Sequence, residues 1–441
     1  MQLPRGWRSR TVGEFAKVVS GYAFSSSVFR SSGIPVVKIK NIRDGFADLD
    51  EADCVDEEYS SLDPKYHIKG GDLLISLTGS HLTQPGSVVG RVASYSRHSP
   101  HSLLNQRAGK IIVRQPEECD SRFLYYVLRN PGYARAVALM AHGAASQANI
   151  SPAQVESLQF ACPPVSAQRK IAAILSAYDD LIENNTRRIK ILEEMAQAIY
   201  REWFVNFRFP GHENVKMVES EIGLIPEGWE VSVLGKHLAV DKGISYKGEG
   251  LTPDGNPMVN LKCIAAGGGF CRQGTKPYSG DFKERHTVRP GDLLVANTDL
   301  TQAGNVIGSP AIVPGLLRSS VVLFSHHLYA VRMLEGCGLT KYYLYNLLLT
   351  PDFKSFAKGM ANGTTVLGLP REGVLDFRLV EPPKPVLRAY EGFATPLYGL
   401  AELLEDKNDA LHRTRDLLLP KLISGEVDVS ELDIRLPGGE S

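Results

Sequence analysis

The sequence predicts an α+β protein: two similar mixed α/β domains separated by two long helices that pair as an antiparallel coiled coil, arranged as an internal repeat with a pseudo-two-fold. Three observations predict this. The first is that the chain contains itself twice. Pro4-Arg5-Gly6-Trp7 returns as Pro226-Glu227-Gly228-Trp229, and Pro35-Val36-Val37-Lys38 as Pro257-Met258-Val259-Asn260, each 222 residues on. Gly71-Asp72-Leu73-Leu74 returns as Gly291-Asp292-Leu293-Leu294 at an offset of 220. Thr83-Gln84 returns as Thr301-Gln302 at 218, and Pro163-Pro164 as Pro382-Pro383 at 219. The slow drift means small loop insertions between two copies of one module. Because the copies have diverged widely, the scaffold is kept while the surface varies, which suits a molecule gripping two different pieces of one two-fold partner.

The second observation is the start of each copy. It reads as short strands and turns: 71–78 and 291–298 as a turn followed by a strand, with further strands at 87–92 and 110–114. Short helices are expected near Ser121–Arg129 and Leu339–Leu349, each stopped by a proline, Pro131 or Pro351. The third is the end of each copy. From Ser166 to Trp203 there is neither Pro nor Gly. Apolar residues fall at helical steps: Ile171, Ile174, Tyr178, Leu181, Leu192, Ile199, Trp203 and Phe204. The second stripe runs through Leu397, Leu400, Leu404, Leu411 and Leu418, with kinks expected from Gly392, Pro396 and Gly399. About 38 residues of helix is roughly 57 Å, too long for one small domain to bury. Pairing of the two copies resolves this; the alternative is two separate core helices. Asn185, a polar residue on the stripe, would fix the register. The domains follow: 1–160 and 225–380 are the two modules, 161–210 and 381–425 the helices, 211–224 a connector and 426–441 an acidic tail.

Composition bounds the function. Hydrophobic residues make up 43% of the chain, enough for ordinary cores. The first ten residues lack a signal-peptide core, and no apolar run reaches a membrane span. The six cysteines are scattered without C-x-x-C pairs, so reduced packing residues in a cytoplasmic protein are expected, with no metal site. Net charge is zero, but nine acids and no Lys or Arg lie between Asp44 and Asp63. Seven basic residues and one acid follow from Lys65 to Arg114, which could present a basic face.

The run Pro163-Pro164-Val165-Ser166-Ala167-Gln168-Arg169-Lys170-Ile171 resembles the start of the conserved helix in specificity subunits of Type I restriction-modification systems. Trp203-Phe204-Val205-Asn206-Phe207 resembles the close of that family's central conserved region, and Leu419-Pro420-Lys421-Leu422-Ile423-Ser424-Gly425 the end of the distal one. Leu3-Pro4-Arg5-Gly6-Trp7 and Ile225-Pro226-Glu227-Gly228-Trp229 resemble the openings of its two recognition domains. The resemblance covers nearly the whole chain in order. It implies a non-enzymatic subunit whose two target recognition domains each read half of a split site in double-stranded DNA. It implies that the helices set the spacing and dock two methyltransferase subunits, joined by restriction/translocase subunits, in a complex that defends against phage. This chain would then bind no cofactor; S-adenosylmethionine and ATP are expected on the partner subunits. The second copy departs from the pattern: Lys384-Pro385-Val386-Leu387-Arg388 lacks Gln-Arg-Lys-Ile, and Pro396 is expected to break the helix.

Motifs for chemistry are missing. Asn130-Pro131-Gly132-Tyr133 lacks the second proline of an adenine methyltransferase, and its counterpart is Thr350-Pro351-Asp352-Phe353. There is no phosphate-binding G-x-x-x-x-G-K-[ST] loop. His326-His327 should alternate on a strand and lack a third metal ligand. No catalytic or metal residue is assigned. The remaining alternative is a coiled-coil adaptor that binds only protein. Against it stand polar loops in both copies, with side chains suited to base edges and phosphates. In the first these are Ser76, Thr78, Ser80, His81, Thr83, Gln84, Arg91, Asn105, Gln106, Arg107, Gln147 and Asn149. In the second they are Asn297, Thr298, Thr301, Gln302, Asn305, Thr364 and Thr365. Asn362-Gly363-Thr364-Thr365 is matched to Ser146-Gln147-Ala148-Asn149. Trp7 and Trp229 are expected to anchor cores.

Overall fold

A computed structural model describes residues 3–50, 52–80, 89–144, 147–315, 317, 319 and 321–435. The chain divides into two compact units: residues 1–183 with 409–441, and residues 184–408. Each holds one strand-rich module and half of each long helix.

In the first unit, Arg8–Thr11 pairs antiparallel with Gln159–Cys162 and closes the module. A five-stranded sheet runs in the order Ala16–Ser20, Ala108–Val113, Leu73–Ser76, Val92–Ser94, Gly45–Phe46. A four-stranded sheet runs Cys54–Val55, Ile34–Val37, Ser102–Leu104, His67–Ile68, with Ile34–Val37 and Ser102–Leu104 parallel. The second unit repeats this order. Glu230–Val233 pairs with Arg378–Glu381. One sheet runs Leu238–Lys242, Leu328–Met333, Leu293–Ala296, Pro310–Ile312, and the other Lys276–Tyr278, Asn256–Val259, Val322–Phe324, Thr287–Val288. Asn256–Val259 and Val322–Phe324 are again the parallel pair.

The repeated motifs mark places where the backbone has little choice. Gly71 and Gly291 sit at φ of 91° and 90°, which a side chain disfavours, so both copies keep the turn before the strand. Asp72 and Asp292 close these turns by accepting the N–H of Lys69 and Arg289, each at 3.0 Å. Gly21 and Gly243 answer a different need. A Cβ there would lie 2.2 Å from the Leu104 oxygen or 2.3 Å from that of Phe324, where two strands cross closely. The strand expected at 87–92 begins at Val92; positions 87 and 88 lie outside the described residues. The two short helices are Ser121–Arg129 and Lys341–Leu349.

The first long helix runs Val165–Tyr200 and ends in a π-helical turn, Arg201–Val205, that sets Trp203 and Phe204 in the core. Phe204 meets Tyr343 and Tyr390 edge-on, with centroids 4.9 and 5.1 Å away. Trp229 is buried beside Phe207 and Phe209, and Trp7 packs on the first unit's core.

The second long helix runs unbroken from Lys384 to Ser424, which corrects the break expected at Pro396. Pro396 and Gly392 lie on an exposed face, where water can take up the carbonyl that proline leaves unbonded. Buried Tyr390 and Tyr398 fix the turns on either side. Asn346 Nδ2 donates to Tyr390 Oη, and Tyr398 Oη donates to Asn346 Oδ1, both at 2.9 Å. The missing Gln-Arg-Lys-Ile pattern has a simple reason. In the first unit, buried Gln168 donates to the carbonyls of Glu118 and Pro163, each at 2.9 Å, and accepts the Asp120 N–H at 2.9 Å. Its counterpart Leu387 fills the same place with hydrocarbon.

The helices are antiparallel in each unit. In the first, Asp179 meets Arg415 at 2.6 Å. In the second, Asn185 Nδ2 donates to Asn408 Oδ1 at 2.9 Å in a buried pair, and Trp203 lies against Tyr390. Asn185, a polar residue on the stripe, is thus paired with a polar residue of the other helix. Ile171, Trp203, Phe204 and Leu404 are buried, and Ile174, Tyr178, Leu192, Ile199, Leu397, Leu411 and Leu418 are half-buried. Leu181 and Leu400 depart from the expectation. They are 53% and 37% exposed and do not lie in the seam. Periodicity reports an apolar stripe; it does not say what covers each part of it.

One carboxylate near this seam gives the fold a pH dependence. Burial, and then Glu405 and Glu194, raise the Glu193 carboxyl to about 7. Glu405 itself is paired with Arg272 at 2.8 Å. The folded state therefore holds the Glu193 proton more tightly than the unfolded chain does. The associated stability is present below the unfolded value, near 4.5, and is lost as pH rises to about 7. It amounts to no more than about 3 kcal/mol. Glu193→Gln should melt higher than the parent at about pH 8 and match it near pH 5, with thermal melting across pH as the measurement.

Candidate nucleic-acid interface

The polar loops meet because one backbone position in each unit gathers three segments. In the first unit, Leu77 follows the strand Leu73–Ser76. Its N–H donates to the Arg107 carbonyl at 2.9 Å, and its own carbonyl accepts the Ile150 N–H at 2.9 Å. Three pieces are joined: the short strand Thr78–Gly79, the turn 105–107 and the strand Gln147–Asn149. In the second unit Asn297 takes that position. Its N–H donates to the His327 carbonyl at 3.0 Å, and its own carbonyl accepts the Leu369 N–H at 2.8 Å. Thr298–Asp299, the turn 325–327 and Leu367–Gly368 are joined in the same way.

Several candidate side chains are engaged in building this platform. Ser76 is buried and its Oγ accepts the Arg91 N–H at 3.0 Å. Thr78 Oγ1 donates to Asn149 Oδ1 at 2.8 Å. Asn105 Oδ1 accepts the Arg107 N–H at 3.3 Å and shapes the turn. Asn297 is buried; Nδ2 donates to the His326 carbonyl at 3.1 Å and Oδ1 accepts from Thr298 Oγ1 at 2.8 Å. Thr301 donates through N–H and Oγ1 to Asp299 Oδ1, at 2.9 and 2.8 Å. Burial acts to raise the Asp299 carboxyl, but the N–H groups of Val306 and Thr301 prevail and hold it below the usual range. It is therefore an ionised anchor of its loop.

Other candidates face outward. Gln106, Arg107, Gln147 and Asn149 are exposed in the first unit, and Gln302, Asn305, Thr364 and Thr365 in the second. Ser80 and Arg91 are half-buried. His81, Thr83 and Gln84 lie outside the described residues.

Two sequence expectations need correction. Residues 362–365 do not match 146–149. Thr78 pairs with Asn149 and Thr298 with Gly368, so Gln147-Ala148-Asn149 correspond to Val366-Leu367-Gly368. Strand register, not residue type, sets the match. His326 and His327 do not alternate on a strand; they form the turn between Val322–Phe324 and Leu328–Met333, their rings 3.9 Å apart. This turn is the counterpart of 105–107. Gln106 N–H donates to the Tyr22 carbonyl, and His326 N–H to the Ile244 carbonyl. The pair therefore belongs with the candidate residues. Carrying the offset of 220 forward from Gln106 would have found it. Burial first, and then Lys242, keep the His326 imidazole below its ordinary range; burial, His326 and Lys242 do so for His327.

Cys54, Cys119, Cys162 and Cys263 are buried thiols without disulfides. Among the described residues, no three His, Cys, Asp or Glu side chains come together as a metal site, and no helix is long and apolar enough to cross a membrane.

Comparison with known proteins agrees with the architecture. Residues 4–194 match the family model of the Type I restriction modification DNA specificity domain. The HindI specificity subunit of Haemophilus influenzae, a type I restriction enzyme subunit, is 36% identical over 62% of this chain and 70% of its own length. The chain belongs to the specificity subunits of type I restriction enzymes. The MjaIX specificity subunit of Methanocaldococcus jannaschii is 26% identical over 71% of this chain and 70% of that protein. Two further relatives from that organism are matched over 60% and 64% of their lengths, less than two thirds. A crystal structure of a Type I restriction-modification S subunit from M. genitalium shares the fold, with a TM-score of 0.55 at 14% identity over 96% of this chain and 98% of that one. DNA recognition follows from the family, and a specificity subunit is its non-catalytic member.

Proposed function

We propose that this specificity subunit reads a bipartite site in double-stranded DNA, one half-site per unit. One observation carries the reading. The same three-segment platform is built twice, with Asn105-Gln106-Arg107 at the turn of one copy and Ser325-His326-His327 at the other. The scaffold is held by backbone hydrogen bonds, so the outward side chains are free to differ. Exposed side chains would touch base edges, while Asn297 and Thr298 would act by holding the platform. The long helices would hold the spacing and dock two methyltransferase subunits, with restriction subunits joining through them. Exposed apolar residues support the docking: Leu181 and Leu417 in the first unit, and Ile191, Met195 and Leu403 in the second. S-adenosylmethionine and ATP would sit on those partners, in the cytoplasm.

The test is reconstitution. The purified chain should neither methylate DNA nor hydrolyse ATP. Adding its methyltransferase partner should give sequence-specific methylation. Methyl transfer by the chain alone would refute the assignment.

A further inference from the structure

The second unit carries a basic cleft. It measures about 350 Å³ and is lined by Lys242, Gly243, Ser245, Arg285, His326 and Arg371. Lys242 ends the strand Leu238–Lys242, and Gly243 keeps the floor thin where the chain crosses the turn 325–327. Lys242, Arg285 and Arg371 are exposed, and none makes an ion pair with a described residue. Each has an acid beside it in sequence: Asp241 is paired with Arg332 at 3.2 Å, and Glu284 and Glu372 are exposed. His326 also lines the cleft, its ring centroid 3.9 Å from that of His327.

Three exposed cations that make no ion pair with a described residue, gathered with an imidazole in one concave site, suit a compact anion. Because His326 belongs to the turn of the interface, an anion held there would lie beside whatever that interface grips. We propose that this cleft holds a backbone phosphate of the duplex, so that the second unit anchors the DNA electrostatically. The inference rests on the DNA-reading assignment above.

The repeat makes it specific. The positions matching Lys242, Arg285, His326 and Arg371 are Ser20, Lys65, Gln106 and Pro152. Lys65, the one cation among these four, is paired with Asp63 at 3.2 Å. The four matching positions therefore build no equivalent site in the first unit.

The experiment uses the full chain with its methyltransferase partner. Binding is measured over a range of salt, with a duplex carrying the methylated motif and one of unrelated sequence. Lys242→Gln with Arg371→Gln should weaken both duplexes alike and leave the motif unchanged. It should also lower the salt slope by about 0.9 for each phosphate that is no longer neutralised. Lys65→Gln should change neither. Arg285→Gln alone provides a second, milder variant. A folded double variant with unchanged slope and affinity would overturn the proposal. So would binding of inorganic phosphate that Lys242→Gln abolishes while duplex affinity stays, since the site would then serve a free anion. If the parent complex binds no duplex specifically, the DNA-reading assignment itself fails, which is a separate outcome.

Discussion

Asp179→Ala should destabilise the first unit by about 3–5 kcal/mol, the cost of leaving buried charge uncompensated. Asp179 stands between two guanidiniums that are almost fully buried: the Arg129 side chain is 5% exposed and that of Arg415 is 7%. Its Oδ1 accepts from Arg415 Nη1 at 2.6 Å, and its Oδ2 accepts from Tyr126 Oη at 2.6 Å. Arg129 Nη1 lies 3.7 Å from the same carboxylate. Once it is gone, the acids left are Asp44 and Asp416, both on the surface at 3.6 and 2.7 Å from their arginines. For a unit of this size the loss corresponds to about 6–20 °C in melting temperature. The second unit gives the control. There the matching positions carry Asn346 and Tyr398, neutral groups in place of Tyr126 and Asp179. Asn346→Ala would strand two tyrosine hydroxyls but no charge, so its cost should be smaller, about 1–3 kcal/mol. Calorimetry of the two variants should rank them in that order. Equal losses would mean that the charge network is not what ties the helices to the first module.

The second large effect is on recognition. Arg107 is exposed on the turn that the platform presents, and a guanidinium can grip a guanine edge through two hydrogen bonds. Removing that grip should cost about 1–3 kcal/mol at one base pair, or roughly fivefold to more than a hundredfold in discrimination. Gln106 should behave likewise. Stability should be unaffected, because the turn is shaped by Asn105 and by backbone hydrogen bonds. Binding to sequences that already lack the preferred base should hardly change. That separates a base contact from the phosphate contact proposed for Lys242.

Much of the architecture was legible because duplication preserves what the backbone demands. Gly71 and Gly291 keep a left-handed turn, and the prolines before each long helix keep its start, so the offsets could be measured directly. Asn185 was legible because a polar residue on an apolar stripe needs a partner, and Asn408 supplies it. The interface was legible only in outline. Asn297 and Thr298 looked like readers, but burial turned them into scaffold. His326 and His327 share no chemistry with Gln106 and Arg107, so resemblance of residue type could not align them; hydrogen-bond topology could. The register of 366–368 depends on pairing with Thr298–Asp299, which lies far away in sequence. Pro396 misled because local propensity gave way to tertiary anchoring by Tyr390 and Tyr398.

The central claim is that each unit reads its own half-site. The direct measurement is the methylated motif, read by sequencing genomic DNA from cells that carry the complete system with either Arg107→Ala or Gln302→Ala. The account predicts that Arg107→Ala relaxes or changes bases in one half only, that Gln302→Ala does so only in the other, and that the spacer stays fixed in both. A single substitution that alters both halves together would contradict it.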